Sequence, residues 1–150
     1  MDEVVDRLKQ VPLFNSLSQR QLKRLARDFR ERTVGSGTTL VERGEMSGVD
    51  FFVIVEGEAS VTVDGEEIDR LGPGDHFGEL GLIAEQVRTA TVTADGRMRC
   101  LVIAAWDFRK FVQGSADVSW KLIQYLVGLV VDERNRAIEA RSRAGSPGRR

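Results

Sequence analysis

The chain has 150 residues, of which 41% are hydrophobic and 30% are charged, and its formal net charge is −1. Such a chain can bury a core as one domain without disulfides, and its near-neutral charge gives no indication of nucleic-acid binding. The single cysteine, Cys100, excludes a disulfide framework and predicts a reducing, cytoplasmic location. The chain shows no signal peptide, and no apolar run approaches the roughly 20 residues that span a bilayer.

The N-terminal segment, residues 1–32, is predicted to be helical. Ser18 and Gln21 have the spacing of a capping box, which marks the start of a helix over 18–30. Behind that box, apolar residues recur at helical spacing: Leu22, Leu25 and Phe29. We interpret the basic residues of this helix as a solvated face, because acidic residues interrupt them.

Residues 33–104 are predicted to be β-structure, and they contain most of the 15 glycines. Short β-prone runs there end at Gly or Asp-Gly, as in "VDFFVIVEG", "ASVTVDG" and "TATVTADG". Asp64 and Gly65 mark the turn of a hairpin. Closely spaced short strands indicate a mainly β fold with flanking helices, a sandwich or barrel of jelly-roll type.

Helical patterns return in residues 105–140. A short helix is predicted to break near Gly114, and Ser115 is placed to cap a longer helix. Apolar residues lie on one side of that helix: Val118, Leu122, Tyr125, Leu126, Leu129 and Val130. The end of the chain, residues 141–150, is poor in apolar residues and is predicted to be disordered.

The stretch "FGELGLIAEQVRTATV", residues 77–92, has the composition of an anion site with a hydroxyl-binding group beside it. A helix starting near Gly78 would direct free N–H groups at an anion, and Gly78 and Gly81 let the backbone approach a ligand. Glu79 is an acceptor for hydroxyl groups, and the guanidinium of Arg88 matches a phosphate. An anion held beside hydroxyl groups is the description of a sugar phosphate.

This stretch resembles the phosphate-binding cassette of cyclic nucleotide-binding domains. That family includes kinase regulatory subunits, the catabolite activator protein and gated channels. The resemblance extends to "VPLFNSLSQRQLKRLA", "FFVIVEGEASV" and "LGPGDHFGE", and it covers roughly residues 8–135. The sequence departs from many members in having Val87 where proline often precedes the arginine. We expect this to loosen the bend without abolishing the site.

The resemblance implies a cassette over 77–91 in which Glu79 holds the ribose 2′-hydroxyl. The amides around Leu80 and Gly81, together with Arg88, would hold the cyclic phosphate. Thr89 would contact either the phosphate or the purine. The ligand-binding residues expected on this basis are Gly78, Glu79, Leu80, Gly81, Arg88, Thr89 and Ala90.

The long C-terminal helix is expected to act as a lid over the base. Leu129 would supply apolar cover, Asp132 or Glu133 would accept from an exocyclic amino group, and the lid would reach Arg136. Tyr125 fits either a purine-covering role or a core or interface position.

We therefore predict a stand-alone, cytoplasmic cyclic-nucleotide sensor that binds cAMP in preference to cGMP and regulates an unidentified effector protein through its C-terminal helix. The sequence has no nucleophile–base pair, paired catalytic carboxylates or metal cluster, so no enzyme activity, cofactor or metal is expected. A homodimer through the C-terminal helix fits the same pattern. Direct DNA binding is not expected, because too few residues follow Arg136 for a helix-turn-helix. Two alternatives stay open: a transcription regulator of the activator type lacking or separated from its DNA-binding domain, and a ligand-free structural jelly-roll module.

Overall fold

The structure, a computed structural model, describes residues 2–44, 50–78 and 90–145. The helical elements in these ranges are α1 (Asp2–Lys9), a 3₁₀ turn (Pro12–Phe14), α2 (Gln19–Ala26), α3 (Ala105–Gln113) and α4 (Ala116–Gly145). The strands are β1 (Arg30–Val34), β2 (Thr39–Val41), β3 (Asp50–Glu56), β4 (Ala59–Val63), β5 (Glu66–Leu71), β6 (His76–Phe77), β7 (Thr91–Ala94) and β8 (Met98–Ala104).

The strands form two four-stranded sheets in which every pairing is antiparallel. The first sheet has the order β1-β8-β3-β6, and the second has the order β2-β7-β4-β5. Two facing four-stranded antiparallel sheets are the arrangement of a double-sheet jelly roll. The predicted mainly β fold of jelly-roll type is therefore confirmed. In the described ranges the sheets form a sandwich and do not close into a barrel.

The first sheet lies in the middle of three layers. Phe51, Val53 and Val55 of β3 belong to the core shared with the helices, whereas Phe52 and Ile54 belong to the core between the sheets. A strand buried on both faces reads as a continuous apolar run, which explains "FFVIV" in the sequence. The second sheet covers only one face of the first, so α1–α4 and the 3₁₀ turn cover the other.

Local signals placed several elements correctly. The Ser18 side chain accepts from the Gln21 N–H at 3.1 Å, and the Gln21 side chain accepts from the Ser18 N–H at 2.9 Å, which confirms the capping box. The β4–β5 hairpin turns at Asp64 (φ 53°) and Gly65 (φ 79°), two consecutive positive φ values that define a type I′ turn. The Ser115 side chain caps α4 by accepting from the Val118 N–H.

Two element boundaries differ from those predicted, and one strand was not predicted. The first strand begins at Arg30, inside the segment 1–32 that was predicted to be helical, because β1 pairs with β8 along its whole length. The short strand β6 was not predicted as a separate element. Helix α4 continues to Gly145, so residues 141–145 are helical and the prediction of disorder from 141 is wrong for them. Residues 146–150 lie outside the described ranges.

Gly57 joins β3 to β4 at a point where another segment passes very close. Its φ is +91°, and a Cβ built there would lie 2.5 Å from the Arg97 carbonyl oxygen and 2.9 Å from Met98 Cα. Both neighbours are backbone atoms, which cannot swing away as a side chain can. The position therefore requires glycine for its conformation and for space.

We expect Gly57→Ala to lower the free energy of unfolding by about 3 kcal/mol or more, because positive φ strain and a backbone clash add together. Gly96→Ala is the matched control, since Gly96 has an ordinary φ and nothing within 4 Å of a built Cβ. Its effect should stay within about 0.5 kcal/mol. Urea unfolding at 25 °C measures both variants. Equal losses in the two would show that the close approach at Gly57 is not a constraint.

Candidate functional site

The predicted cassette connects β6 in the first sheet to β7 in the second. The structure describes its two ends, from Phe77 to Gly78 and from Ala90 onwards. Glu79, Leu80, Gly81, Arg88 and Thr89 lie outside the described residues. The site can therefore be built from the elements that hold its two ends in place.

The chain reaches the cassette through a glycine-rich turn. The Asp75 N–H donates to the Gly72 carbonyl at 3.0 Å, with Pro73 and Gly74 (φ +90°) between them, which is the pattern of a type II turn. The Asp75 carboxylate also accepts from the Gly72 N–H at 2.8 Å. The Gly74 N–H donates to the Ile54 carbonyl at 2.8 Å, which fastens the turn to β3.

Strand β6 then anchors the start of the cassette on β3. Phe77 is the cross-strand neighbour of Phe52, and their rings stack with centroids 4.7 Å apart and planes within 12°. Such a pair contributes about 0.5–1.5 kcal/mol beyond its buried area. His76, on the opposite face of β6, lies against Phe51 with ring centroids 5.7 Å apart. Gly78 follows with φ +94°, a backbone conformation that a residue with a side chain rarely adopts, so the cassette leaves β6 through a glycine-dependent bend.

The far end of the cassette is held by an interior strand of the second sheet. Val92 and Ala94 of β7 are buried in the core between the sheets, while Thr91 and Thr93 are half-buried on the other face. Hydroxyl-bearing and apolar positions therefore alternate along this strand. Because β7 lies between β2 and β4, its position is fixed from both sides.

One contact beside this end was not anticipated from the sequence. The Arg43 N–H donates to Thr91 Oγ1 at 3.0 Å, and the Arg43 guanidinium forms an ion pair with Asp64 in the β4–β5 turn. Three separate segments of the second sheet thus meet beside the cassette exit. The turn chemistry of Asp64 was readable from the sequence, but its pairing with Arg43 joins residues far apart in the chain and has no local signal.

The acidic, histidine and cysteine side chains of the described part of the chain do not gather at a candidate metal site. In residues 2–44, 50–78 and 90–145, no group of three or more His, Cys, Asp and Glu side chains could hold a metal ion. Burial raises the pKa of the Cys100 thiol to about 11, an effect partly opposed by the nearby charge of Arg32. Cys100 is therefore a neutral core residue at physiological pH, because the reactive thiolate is disfavoured.

The predicted lid residues lie on α4, beyond the part that packs on the domain. Leu122 is buried and Tyr125 is partly buried against the helical core, whereas Leu129 is 45% and Val130 is 66% exposed. The apolar face of α4 that includes Val130 was expected to pack on the barrel or on a second subunit, and in the single chain Val130 does not pack on the barrel. Asp132, Glu133 and Arg136 are also exposed, and Arg136 forms an ion pair with Glu133 at 3.5 Å.

The first turn of α4 is tied to the start of α2 through Gln21. The Gln21 Nε2 donates to Asp117 Oδ2 at 2.7 Å, and Lys121 Nζ donates to Gln21 Oε1 at 2.9 Å. Lys121 also pairs with Asp117 at 3.1 Å. The hydrogen bond from Gln21, followed by that from Lys121, holds the pKa of Asp117 below its ordinary value. The Gln21 side chain, which completes the capping box of α2, thus also fixes the base of α4.

The fold and the connection between β6 and β7 together define a class of protein. The described ranges combine a double-sheet jelly roll, a connection between its sheets that leaves β6 through Gly78, and a long helix beyond the last strand. The family model of the cyclic nucleotide-binding domain matches residues 31–115, more than half of the chain. The chain therefore belongs to the cyclic nucleotide-binding domain family.

Similar proteins come from several contexts. A cyclic nucleotide-gated potassium channel of Rhizobium etli is 35% identical over 109 residues, which are 73% of this chain and 30% of the channel. The crystal structure of the N-terminal domain of a transcriptional regulator from Streptomyces coelicolor A3(2) matches with a TM-score of 0.78 at 27% identity, covering 87% of this chain and 96% of that one. The regulatory domain of Toxoplasma gondii PKA, solved with cAMP, matches with a TM-score of 0.68 at 30% identity, covering 77% of this chain and 46% of that one.

The chain spans less than a third of the channel's length, so it corresponds to one domain of that relative. Among the described helices, none combines the length and apolar character needed to cross a membrane.

We expect Gln21→Ala to lower the free energy of unfolding by about 1 kcal/mol, because it removes the side-chain half of the α2 capping box and the link to α4, while the Ser18 cap stays. Gln21→Glu keeps the capping acceptor but loses the donor to Asp117 and places a second carboxylate beside it, so it should also destabilise the domain. Urea unfolding of Gln21→Ala, Asp117→Ala and the double variant measures their coupling. Additive losses would show that the link contributes nothing.

Because the pKa of Asp117 is lowered on folding, its stabilising contribution should be present at neutral pH and lost as the pH falls through the folded-state pKa.

Proposed function

We propose that this domain binds a 3′,5′-cyclic nucleotide, cAMP in preference to cGMP, at the β6–β7 connection. The observation that carries the proposal is that contacts within the two sheets hold both ends of this connection. Phe77 stacks on Phe52 at its start, Thr91 is hydrogen-bonded at its end, and residues 79–89, with Glu79 and Arg88 near their two ends, lie between two rigid strands. A ligand site gains affinity when its loop is held in place before binding.

The proposed roles follow the chemistry of the residues. Arg88 and the amides near Leu80 and Gly81 hold the cyclic phosphate, because a guanidinium and free N–H groups are strong donors to an anion. Glu79 accepts from the ribose 2′-hydroxyl. Thr89 bonds either the phosphate or the purine.

The preference for cAMP is supported by the likeness to the Toxoplasma gondii domain that was solved with cAMP. A binding domain of this kind is proposed to need neither catalysis nor a cofactor, because its output is a change of conformation. An effector protein then has to read that change. We place this activity in the cytoplasm, where the single thiol of Cys100 stays reduced.

A second function is favoured by one observation. The Streptomyces coelicolor domain that matches 87% of this chain is the N-terminal domain of a transcriptional regulator. The present domain would then be the sensor part of such a regulator. Duplex DNA binding in moderate salt by the longest natural form of the protein, lost on removal of segments outside this domain, would favour that function.

We expect cAMP at about 100 times its dissociation constant to stabilise the domain by roughly 2.7 kcal/mol. For a chain of this size the melting temperature should rise by about 5–10 °C. Arg88→Gln should weaken binding by about 3 kcal/mol, because the charged contact to phosphate is lost. Isothermal titration with cAMP and cGMP measures both affinities, and Thr89→Ala should reduce them unequally if Thr89 contacts the purine.

Matched controls separate the site from general effects of charge. Arg97→Gln removes an exposed arginine elsewhere, and Glu66→Ala removes an exposed carboxylate, so neither should change cAMP affinity. Glu79→Ala should weaken cAMP but cause no further loss for 2′-deoxy-cAMP, which lacks the hydroxyl. No melting shift at millimolar cAMP or cGMP, or wild-type affinity in both Arg88→Gln and Glu79→Ala, would overturn the assignment.

The regulatory step is proposed to be a movement of α4. This helix is fixed at its base through Gln21 and Leu122, while residues 127–144 of it are exposed. An apolar groove of about 370 Å³ between α3 and α4, lined by residues such as Phe108 and Leu126, leaves the helices room to repack. Ligand moves the helix only if it binds the closed position more tightly, and each tenfold change in population needs about 1.4 kcal/mol.

We expect truncation after Gly128 to weaken cAMP binding several-fold while the phosphate contacts remain, because Leu129 and the acidic residues Asp132 and Glu133 no longer cover the base. Amide hydrogen exchange over residues 126–136 should slow when cAMP is added to the full chain. Both cAMP and cGMP should lose the apolar cover of Leu129, whereas any difference between the two losses would come from Asp132 or Glu133 at the base edge.

An unchanged affinity together with unchanged exchange would show that α4 is not a lid. The helix would then serve as a scaffold or as the interface of a homodimer, to which exposed apolar residues such as Ile123, Val127 and Val131 are suited. Sedimentation of the full and truncated chains distinguishes these two roles.

A further inference from the structure

Strand β1 forms an open edge of the first sheet. It lies at the end of the strand order and pairs with β8 alone among the described strands. Its residues 30–33 are exposed, and only Val34 is buried. An edge strand presents a row of N–H and C=O groups that another extended segment can pair with.

The register shows which side chains flank this edge. Arg30 is opposite Val102, and Arg32 is opposite Cys100; both partners belong to the core between the sheets. Directly opposite residues of an antiparallel pair place their side chains on the same face. Arg30 and Arg32 therefore lie on that face, side by side along the strand.

The arginines on the two faces of this edge differ in how their charge is balanced. On the helical face, Arg99 binds the carboxylates of Glu31 and Glu56, which raise its pKa above the ordinary value. On the other face, neither Arg30 nor Arg32 forms an ion pair within the described ranges. A hollow of about 330 Å³ lies beside them, lined also by Glu31, Asp50 and Val102.

Helix α2 adds to the positive charge that precedes this edge. Its exposed cations occupy positions i, i+3, i+4 and i+7 on the side away from the core: Arg20, Lys23, Arg24 and Arg27. None of these side chains forms an ion pair within the part of the chain that the structure describes. In a protein with a net charge of −1, the stretch from α2 to β1 thus carries six cations against two acidic residues, Asp28 and Glu31.

We propose that the β1 edge binds an extended acidic segment of a partner protein as an added strand. Carboxylates at alternating positions of the segment lie opposite Arg30 and Arg32, and an apolar residue lies opposite Val34. Successive residues on one face of a strand are about 6.6–6.8 Å apart in both chains, so the charges match in register. Backbone pairing favours a peptide over nucleic acid, because only an extended peptide satisfies the N–H and C=O groups of the edge.

The partner that carries this acidic segment is proposed to be the effector protein of the proposed function, and this part of the inference rests on that function. The docking itself does not need cyclic nucleotide. Failure to bind an acidic peptide would leave cAMP binding intact, and failure to bind cAMP would leave the docking measurable, so the two proposals can fail separately.

The test uses a fluorescein-labelled peptide, Ser-Val-Thr-Glu-Thr-Glu-Ser, and fluorescence anisotropy with the full chain at low salt. Combining Arg30→Glu with Arg32→Glu should weaken binding at least tenfold. The matched control combines Lys110→Glu with Arg141→Glu, two exposed cations elsewhere, and should stay within about twofold of the wild type. Circular dichroism and cAMP affinity verify that both double variants are folded.

Two further peptides test the strand geometry without changing the protein. A peptide of the same composition with its glutamates adjacent should bind at least threefold more weakly, because one carboxylate then faces away from the arginines. A peptide N-methylated at the alternating amides that face β1 should lose binding, because it cannot complete the pairing. Salt should weaken the alternating peptide's binding.

Four results would contradict the proposed docking of an acidic segment on β1. No binding of the alternating peptide at millimolar concentration, or equal binding of all three peptides, would overturn the proposal. Tighter binding of a single-stranded oligonucleotide that is lost in the charge-reversed variant would assign the surface to nucleic acid instead. Self-association of the wild type that disappears in the same variant would assign the edge to a second copy of this chain.

Discussion

The structure depends on the burial of the first sheet on both faces. The apolar run of β3 places Phe51, Val53 and Val55 against the helices and Phe52 and Ile54 against the second sheet. Exposing either face to water would cost about 25 cal/mol for each Å² of apolar surface, so neither covering layer can be lost without destabilising the domain. The helical segments at both ends of the chain are required for this reason, although neither contributes a strand.

The same burial determines where a ligand site can form. Strand β6 is only two residues long, and its position depends on pairing with β3 and on the stack of Phe77 against Phe52. Strand β7 is held within the second sheet by β2 and β4. A connection between two such strands begins and ends at fixed points. Fixed end points of this kind suit a connection that has to recognise a ligand.

The C-terminal helix divides at about residue 126 into a part that belongs to the core and a part that does not. Val118 and Leu122 are buried, and Gln21 joins the cap of α2 to Asp117 and Lys121. A change in the packing of α4 would therefore strain the N-terminal helices as well, since they share a polar link. The link therefore positions the base of α4 together with the start of α2.

The sequence by itself determined the features whose causes are local. The capping box of α2, the type I′ turn at Asp64 and Gly65 and the cap at Ser115 each depend on residues within a few positions of one another, and each was predicted correctly. The family was also readable, because its motifs recur along the chain and the family model matches residues 31–115. The roles of Glu79 and Arg88 rest on that resemblance and stay predictions, since both lie outside the described residues.

Only the tertiary structure decided the features whose causes are distant in the chain. The charged run of β1 has no strand pattern of its own and is extended because it pairs with β8, some 70 residues later. Gly57 requires glycine because Arg97 and Met98 pass beside it, and Gln21 has a second partner in α4. Periodicity and propensity describe neighbours along the chain, whereas pairing, close approach and burial depend on which segments the whole fold brings together.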